Sequence, residues 1–269
     1  GVILDLRNNG GGSLYEATAL TDLFIDFGPV VQIRDANKKI YRNQRATSEA
    51  FYDGPMMVLI NRLSASASEI FAGAIQDYGR GLIIGSQSYG KGTVQTMTDL
   101  SSGLLKLTVS KFYRVSGGST QHRGIIPDIV YPSMFDSDEI GESHLESALP
   151  WDQIHPVPHQ HSDRLQKILK PLTRAHQKRA YSDANFSSLT DQLALTQRWK
   201  MEKLTNLNLE QRKQRDNKLD QSLLDIENKR RLHNKLEAYA DIEEWEEAKE
   251  KQEKIKTPTA ESDPMLFET

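Results

Sequence analysis

Glycine is confined to the first part of the sequence. All 17 glycines lie between Gly1 and Gly141, and none follows. Up to that point, glycine and other turn residues separate short apolar runs, a pattern typical of a domain built around a sheet. From about Trp151 onward, Lys, Arg, Glu, Gln and Leu dominate, which is typical of helices. The sequence therefore predicts a sheet-containing domain over residues 1–150 and an all-helical domain over residues 151–269.

The predicted sheet-containing domain alternates strands with helices. We predict strands at Val2–Leu6, Val30–Arg34, Met56–Ile60, Leu82–Ile84 and Leu105–Val115, and helices at Leu14–Phe27 and Ala65–Tyr78. The strands that begin at Val2, Met56 and Leu82 are short and apolar on both faces, as central strands of parallel sheets usually are. The alternation of strand and helix predicts an α/β core with a mostly parallel central sheet and right-handed crossovers.

The predicted helical domain carries few chemical motifs. Apolar residues recur at helical spacing through Leu189–Lys256, which indicates solvated helices that pack one stripe on a core; a coiled-coil or partner-binding role is the alternative. Three histidines cluster in the proline-rich stretch before these helices: His155, His159 and His161. Because only Asp152 and Asp163 could add nearby carboxylate ligands, we interpret this stretch as a solvated loop and not as a metal site.

Composition excludes several classes of function. The chain has no cysteine, which excludes a disulfide framework, a thiolate metal site and a cysteine nucleophile. Its 34 basic and 37 acidic side chains leave a net charge of −3, which argues against nucleic-acid binding through a strong basic field. No apolar run approaches the roughly 20 residues of a membrane span. The chain begins within a predicted strand and without Met, so we interpret it as a piece of a longer protein whose targeting segment, if any, lies upstream.

Two candidate functional loops each follow a predicted strand and precede a predicted helix. Asp5–Gly12 ends in three glycines, which can expose backbone N–H groups to an anion or a developing oxyanion. The second loop contains Ser64, Ser66 and Ser68 above the carboxyl edge of the predicted parallel sheet, where α/β proteins build their sites. Helix capping by a serine, with Glu69 in the first turn, is the simpler interpretation, but three serines exceed what capping needs.

A third loop, Gly85–Gln95, follows another predicted strand. Gly85, Gly90 and Lys91 have the spacing of a phosphate-binding loop, so a nucleotide hydrolase is one hypothesis. However, Gly92 stands where such a loop needs Ser or Thr to hold magnesium. The residues that follow also favour a strand over the helix that a phosphate-binding loop requires.

A glycine-flanked lysine near a serine supports a different hypothesis. An unperturbed lysine has a pKa of about 10.4 and is almost entirely protonated at pH 7. Burial disfavours the ammonium form, and a neutral amine can take a proton from a serine hydroxyl in the Ser–Lys variant of nucleophilic catalysis. His122 and His144 remain alternative bases, and a non-catalytic helical scaffold that recruits a partner remains a third hypothesis.

Taken together, the loops resemble peptidase family S41, the tail-specific or C-terminal-processing serine proteases. Four motifs carry the resemblance in this order: Asp5–Gly12, Ser64–Glu69, Tyr89–Gln95 and Gly124–Ile129. The resemblance covers about residues 1–155 as the latter part of a protease domain, and the remainder looks like the helical C-terminal extension of the family's bacterial periplasmic branch. It implies a crotonase/ClpP-like α/β core with a mostly parallel sheet, followed by helices.

The resemblance also implies the roles of individual residues. Three side chains would be catalytic: Ser66 as the nucleophile, Lys91 as the general base and Gln95 as the residue that orients the lysine. Donors to the oxyanion would be backbone amides, those of Ala67 and of Gly11 or Gly12. Supporting roles would fall to two acidic residues, Asp77 and Glu69. The resemblance implies no metal and no cofactor.

The implied function is that of a serine endopeptidase that degrades or processes proteins marked by an apolar, disordered C-terminus. The implied compartment is the periplasm, and the implied partners are protein or peptide substrates and an adaptor protein. Members normally carry a PDZ domain that grips the substrate carboxylate, and the periplasmic branch adds a helical N-terminal region. We recognise neither in these 269 residues, so we expect this chain alone to have little or no activity.

Overall fold

The computed structural model describes residues 1–42, 49–135, 139–202, 204–253 and 263–269. These residues form two compact units, Gly1–Pro171 with Thr269 and Leu172–Glu268. The strands, all in the first unit, are β1 Val2–Asp5, β2 Gln32–Asp35, β3 Ile40–Arg42, β4 Met56–Ile60, β5 Leu82–Gly85, β6 Thr93–Asp99, β7 Leu104–Tyr113 and β8 Ile129–Val130. The helices are α1 Leu14–Asp22, α2 Ala67–Asp77, α3 Arg164–Ser182, α4 Ala184–Lys200, α5 Leu209–His233, α6 Ile242–Glu253 and α7 Pro264–Glu268.

Four strands of the first unit form an entirely parallel sheet in the order β1-β4-β5-β8. Its central strands are almost fully enclosed, and Val58, Leu59 and Ile83 have no exposed surface. Strands covered on both faces need apolar side chains at every position, which is why the continuous apolar runs predicted them. The expected α/β core with a parallel sheet is confirmed.

The other four strands form an antiparallel sheet in the order β3-β2-β7-β6. Strands β6 and β7 form a long hairpin whose register shifts between Val94 and Gln95. Strand β6 begins at Thr93, two residues after Lys91, as the β-branched residues there predicted. The helix that a phosphate-binding loop needs after its lysine is therefore replaced by a strand.

One apolar core joins both sheets to α2. It includes Phe71 and Ile75 from α2, Ile83 from the parallel sheet and Phe112 from the antiparallel sheet, all nearly or fully buried. Phe24 meets Phe71 edge to face, with the ring centroids 6.0 Å apart. Burial of this face fixes α2 against the sheets and thereby fixes the position of the turn that precedes it.

Several predicted boundaries shift in the structure. The helix predicted at Leu14–Phe27 ends at Asp22, where the N–H groups of Phe24 and Ile25 turn back to the Thr21 carbonyl and their side chains enter the core. The strand predicted at Val30–Arg34 forms at β2 and belongs to the antiparallel sheet. Strands β3 and β8 were not expected, because runs of three and two residues are too short for a periodic signal.

The second unit consists of helices. Helix α5 is tied to α4 through Arg230, which donates to Asn185 Oδ1 at 2.8 Å and to Glu227 within its own helix. Helix α7 is tied to α3 through Glu268, which accepts from Arg179 Nε at 3.0 Å. Helices α4, α5 and α6 form where apolar residues at helical spacing predicted helices, within Leu189–Lys256. Residues 203 and 254–256 of this stretch lie outside the described residues.

None of the helices in the described ranges is both long enough and apolar enough to cross a membrane.

Candidate active site

Three loops meet at one edge of the parallel sheet. Strands β1, β4 and β5 are parallel neighbours, so the loops that leave their carboxyl ends emerge side by side. We call them the glycine loop (residues 8–12), the serine turn (residues 61–67) and the lysine turn (residues 88–92). Asn8 and Asn61 exchange two hydrogen bonds at 2.8 and 2.9 Å, and Tyr89 N–H donates to Ser64 O at 2.9 Å. The three predicted functional loops therefore form one cluster.

The three serines around α2 have different environments. Ser64 Oγ donates to Leu6 O at 2.7 Å, and Ser68 Oγ donates to Asn9 O at 3.0 Å, so both hydroxyls tie α2 and its turn to the first loop. Ser66 is the N-cap of α2 and has φ 57° and ψ −111°, a conformation that residues with a Cβ rarely adopt. Strained backbone of this kind concentrates at functional sites, which distinguishes the middle serine from its two neighbours.

The glycine loop lies against the serine turn. Gly11 has φ 96°, and a Cβ there would lie 2.6 Å from Ala65 O, 2.8 Å from Ser66 Cβ and 2.9 Å from Ala67 N. Only a residue without a side chain allows this approach. The Gly11 N–H donates to Asn9 Oδ1 at 3.0 Å, so Gly11 serves to let the loop reach Ser66 more than to offer its own amide.

A cavity of about 180 Å³ adjoins the two other predicted oxyanion donors. Gly12 and Ala67 both line it, as does Gly11. Apolar side chains form much of the remaining wall, including Leu6, Leu20 and Phe71. The cavity therefore lies between the glycine loop and the start of α2 and has a largely apolar wall, as small-molecule and peptide sites commonly do.

Glu69 connects the serine turn to the lysine turn. Its carboxylate Oε2 accepts from the N–H of Ser66 at 2.7 Å and from the N–H of Lys91 at 2.9 Å. The other oxygen, Oε1, accepts from Ser88 Oγ at 2.6 Å and from Gly90 N–H at 2.7 Å. Two nitrogens bonded to one oxygen cannot be farther apart than the sum of the two bond distances. The backbone of Ser66 is thus held next to the backbone of Lys91.

The Glu69 carboxyl group is almost completely removed from water, with 1% of the residue exposed. Burial raises the pKa of Glu69 from its usual 4.5 to about 7, and the hydrogen bonds that the carboxylate accepts lower the pKa in part. A carboxyl group whose pKa is raised on folding costs stability once it ionises. Glu69 therefore links the two turns, and its ionisation lowers the stability of the folded state as pH rises.

Lys91 and Gln95 are in contact. Lys91 Nζ donates to Gln95 Oε1 at 3.1 Å, and Gln95 Nε2 in turn donates to Thr108 Oγ1 at 3.4 Å. The register shift between Val94 and Gln95 is a β-bulge, a device that redirects side chains near functional sites. Lys91 is half-buried and Gln95 is exposed, so the burial of the lysine that the Ser–Lys hypothesis invokes is only partial.

Asp77 lies at the far end of α2, roughly 16 Å along the helix from Ser66 at about 1.5 Å per residue. Its carboxylate accepts from Arg114 Nε at 3.1 Å and from Ser116 Oγ at 3.0 Å, and its carbonyl contacts His161 Nδ1 at 2.8 Å. The structure does not bring Asp77 to the cluster of three loops. These contacts are compatible with a supporting role in which Asp77 anchors the end of α2.

Sequence reasoning missed two side chains of the cluster. Ser88 donates its hydroxyl to Glu69 and accepts from Ile125 N–H at 2.6 Å, and Asn61 bridges the glycine loop to the serine turn. Polar residues are so common in loops that neither stood out. Their only sequence signal was their place within three residues of the end of a buried strand.

The histidines considered as metal ligands or as alternative general bases have different surroundings. His159 Nδ1 contacts the backbone carbonyl of Val157 at 2.8 Å. His161 Nδ1 likewise contacts a backbone carbonyl, that of Asp77. His122 donates its backbone N–H to Gly90 O at 2.8 Å, whereas His144 belongs to a 3-10 turn, Glu142–His144. Across the described ranges, no group of three or more His, Asp or Glu residues is arranged to hold a metal ion.

The glycine loop generates a prediction about stability. Replacement of Gly11 by Ala should destabilise this chain by at least about 1 kcal/mol more than replacement of Gly103 by Ala. Both glycines have nearly the same φ, 96° and 95°, but a Cβ at Gly103 meets nothing within 4 Å. Urea unfolding of the two variants measures the difference. Equal losses of unfolding free energy in the two variants would mean that a Cβ at position 11 does not clash with the serine turn.

The raised pKa of Glu69 generates a second prediction. The protonated carboxyl group is favoured in the folded state, so its contribution to stability is complete below about pH 4.5 and is lost as pH rises to about 7. The loss amounts to about 3 kcal/mol. The Glu69→Gln variant cannot titrate, so its unfolding free energy should lack this decline. Glu146→Gln, in an exposed turn, should retain it. Urea unfolding at pH 4 to 8 tests this, and parallel curves for wild type and Glu69→Gln would contradict it.

Comparison with known proteins identifies relatives for both halves of the chain. Residues 1–131 match the profile of peptidase family S41, and residues 135–269 match the profile described as the C-terminal domain of tail specific protease (DUF3340). The tail-specific protease of Haemophilus influenzae is 40% identical over 255 residues, which cover 90% of this chain and 37% of that protein. The carboxy-terminal-processing protease of Bartonella bacilliformis is 47% identical over 132 residues, which cover 48% of this chain and 30% of that protein.

Among solved structures, the photosystem II D1 C-terminal processing protease is similar, with 36% identity and a TM-score of 0.42 over 51% of this chain and 34% of that chain. This chain spans 37% and 30% of the length of the two curated relatives. Because the two family profiles together account for nearly every residue, the chain belongs to the tail-specific proteases of peptidase family S41.

Proposed function

We propose that this chain carries the catalytic serine and lysine of a serine endopeptidase. Ser66 is the nucleophile and Lys91 is the general base. The observation that supports this most strongly is the shared Glu69 carboxylate, because one oxygen accepts from the N–H groups of both residues. A shared acceptor keeps nucleophile and base on adjacent backbone, which is the first geometric requirement of a catalytic dyad.

In the proposed reaction, Ser66 Oγ attacks the peptide carbonyl carbon while its proton passes to the neutral amine of Lys91. The tetrahedral intermediate collapses, the protonated lysine gives the proton to the leaving amine, and an ester to Ser66 remains. A water molecule, activated by Lys91 in the same way, attacks the ester and releases the new C-terminal carboxyl group. Every proton that the lysine accepts is returned, so the lysine ends the cycle in the neutral form in which it began.

The oxyanion site of this proposal is formed by Ala67 and Gly12. Ala67 N–H lies at the first turn of α2, where backbone donors have no helical acceptor and the helix dipole favours negative charge. Gly12 borders the same cavity, whereas the Gly11 amide already donates to Asn9. Gly11 then contributes space and not a hydrogen bond.

A general base must be unprotonated before it can accept a proton. Lys91 is half-buried, so solvent can reach its side chain. We propose that a peptide bound across the three loops covers the amine and removes water from it. The hydrogen bond from Lys91 Nζ to Gln95 then holds the amine in its orientation as the peptide displaces water. The hydrogen bond from Gln95 to Thr108 fixes the Gln95 side chain. Desolvation that depends on the substrate would restrict activity to bound chains.

The proposed substrates are proteins or peptides with apolar C-termini. The cavity beside Ala67 has an apolar wall that suits an apolar side chain next to the cleaved bond. The names of the relatives, tail-specific and carboxy-terminal-processing protease, agree with action near the ends of proteins. By the same resemblance we propose a periplasmic location and an adaptor protein as a further partner.

The two other hypotheses have less support. In the lysine turn, the N–H groups of Gly90 and Lys91 donate to Glu69, whereas a phosphate-binding loop keeps such groups free for phosphate. A helical scaffold without catalysis leaves the strained Ser66 and the buried Glu69 without a purpose. Neither is proposed further.

Substitutions in a full-length tail-specific protease that carries these residues test the dyad. Ser66→Ala and Lys91→Ala should each lower kcat/KM for an internally quenched peptide by at least about 1,000-fold. Lys91→Arg should be equally inactive, because a guanidinium does not give up its proton near neutral pH. Lys106→Ala, an exposed lysine of the same hairpin, is the matched control and should retain activity.

His122→Ala addresses the alternative base and should retain most of the activity. A Lys91→Ala enzyme with more than a tenth of wild-type activity, or a His122→Ala enzyme with none, would remove lysine from the proposed role.

We further predict that these 269 residues by themselves cleave the same peptide at least about 100-fold more slowly than the full-length enzyme. The reason is that binding energy from parts of an enzyme remote from the reacting bond contributes to the rate, and this chain spans 37% of the Haemophilus influenzae relative. Ser66→Ala versions of both proteins provide the background rates. Comparable turnover by the two active proteins would refute the prediction.

A further inference from the structure

A second segment, distant in sequence from Glu69, also holds the lysine turn. We call residues 119–122 the backing segment. His122 N–H donates to Gly90 O at 2.8 Å, and Thr120 Oγ1 donates to Lys91 O at 3.3 Å. Gln121 Oε1 accepts from Gly92 N–H at 2.8 Å. Three successive residues of the lysine turn thus each bond to one of three successive residues of the backing segment.

The glycines on both sides of Lys91 are explained by this contact. Gly90 has φ 91°, and a Cβ there would lie 2.8 Å from His122 C. A Cβ on Gly92 would lie 2.7 Å from Gln121 N and 2.8 Å from Ser119 Oγ. Both contacts are closer than real Cβ atoms allow, so glycines on both sides of Lys91 let the backing segment approach. This packing accounts for the two glycines without a phosphate-binding role.

Gln121 is the central residue of the backing segment and has no exposed surface. Besides accepting from Gly92, its carboxamide donates from Nε2 to Glu142 Oε1 at 3.4 Å. Glu142 N–H in turn donates to Tyr89 O at 3.2 Å. The pair Gln121 and Glu142 therefore connects the residues just before and just after Gly90 and Lys91.

We infer that Gln121 is a positioning residue for Lys91, an inference that rests on the proposed role of Lys91 as general base. Gln121 fixes the lysine turn from Gly92, while Glu69 fixes it from Gly90 and Lys91. The side chain must accept from a backbone N–H and donate to a carboxylate at a position closed to bulk solvent. Glutamine meets both demands without adding a charge.

The consequence concerns rate more than affinity. Gln121 is buried and acts through the lysine turn, so its loss should leave substrate binding largely unchanged. Loss of the acceptor would leave the Gly92 N–H buried and unpaired, and the turn would shift to satisfy it. A displacement of about 1 Å of a catalytic group can lower a rate by about 100-fold.

The test uses the full-length enzyme and a matched pair of variants, Gln121→Met and Gln32→Met. Gln32 is also a buried glutamine, 1% exposed, and its Nε2 donates to the carbonyls of Arg114 at 3.3 Å and His155 at 3.1 Å. Both changes remove a buried carboxamide, so both should lower the melting temperature by similar amounts. We expect Gln121→Met to lower kcat by about 10-fold to 100-fold with KM changed less than about twofold, and Gln32→Met to leave kcat within about twofold.

A rescue experiment separates positioning from general stability and works even if Gln121→Met folds poorly. Gln121→Glu keeps the acceptor for Gly92 but places a carboxylate against Glu142, so kcat should fall. Adding Glu142→Gln reverses the pair, because the amide then donates to the introduced carboxylate. The double variant should recover kcat to within about threefold of wild type.

Two outcomes would overturn the inference: equal kcat for Gln121→Met and Gln32→Met at equal melting temperature, or no recovery of kcat in the double variant. Failure of the proposed function has a different signature. If Lys91→Ala keeps its activity, lysine is not the base; if Lys91→Ala is inactive and Gln121→Met behaves like Gln32→Met, only the role of Gln121 is lost.

Discussion

One buried carboxylate holds the candidate site together. Glu69 accepts from the serine turn and from the lysine turn at the same time, and these turns follow different strands. Burying a carboxyl group is unfavourable, and the raised pKa of Glu69 expresses that cost. Four donors offset part of it. The protein thus accepts a local loss of stability that fixes two loops against each other, which fits a site that must be rigid before a substrate arrives.

Close approach of backbone is the second constraint. Gly11 lets the first loop contact Ser66, and Gly90 and Gly92 let the backing segment contact the lysine turn. At each of these positions a Cβ would meet backbone atoms, which cannot move aside as a flexible side chain could. The glycine-rich character of the first half of the chain is therefore, in part, a requirement of packing loops on loops around Ser66.

The order of loops and strands could be predicted because it depends on local sequence. Val2–Leu6, Met56–Ile60 and Leu82–Ile84 are apolar throughout, and strands covered on both faces need this composition. The loops after such strands meet at one sheet edge whatever their sequence. Local sequence could not show that Ser64 and Ser68 have roles different from that of Ser66. The hydroxyls of Ser64 and Ser68 bond to Leu6 O and Asn9 O, which lie more than fifty residues away in the sequence.

The sequence alone determined the elements, their order and the residue types available for catalysis, since propensity and hydrophobic pattern act over a few residues. Tertiary structure decided which of those residues meet. It joined Ser66 to Lys91 through Glu69, gave Gln121 a role in the lysine turn, placed Asp77 away from the cluster and left Lys91 half-exposed. Burial, strained backbone and hydrogen bonds between distant loops arise only when the chain packs, and no local pattern of residues encodes them.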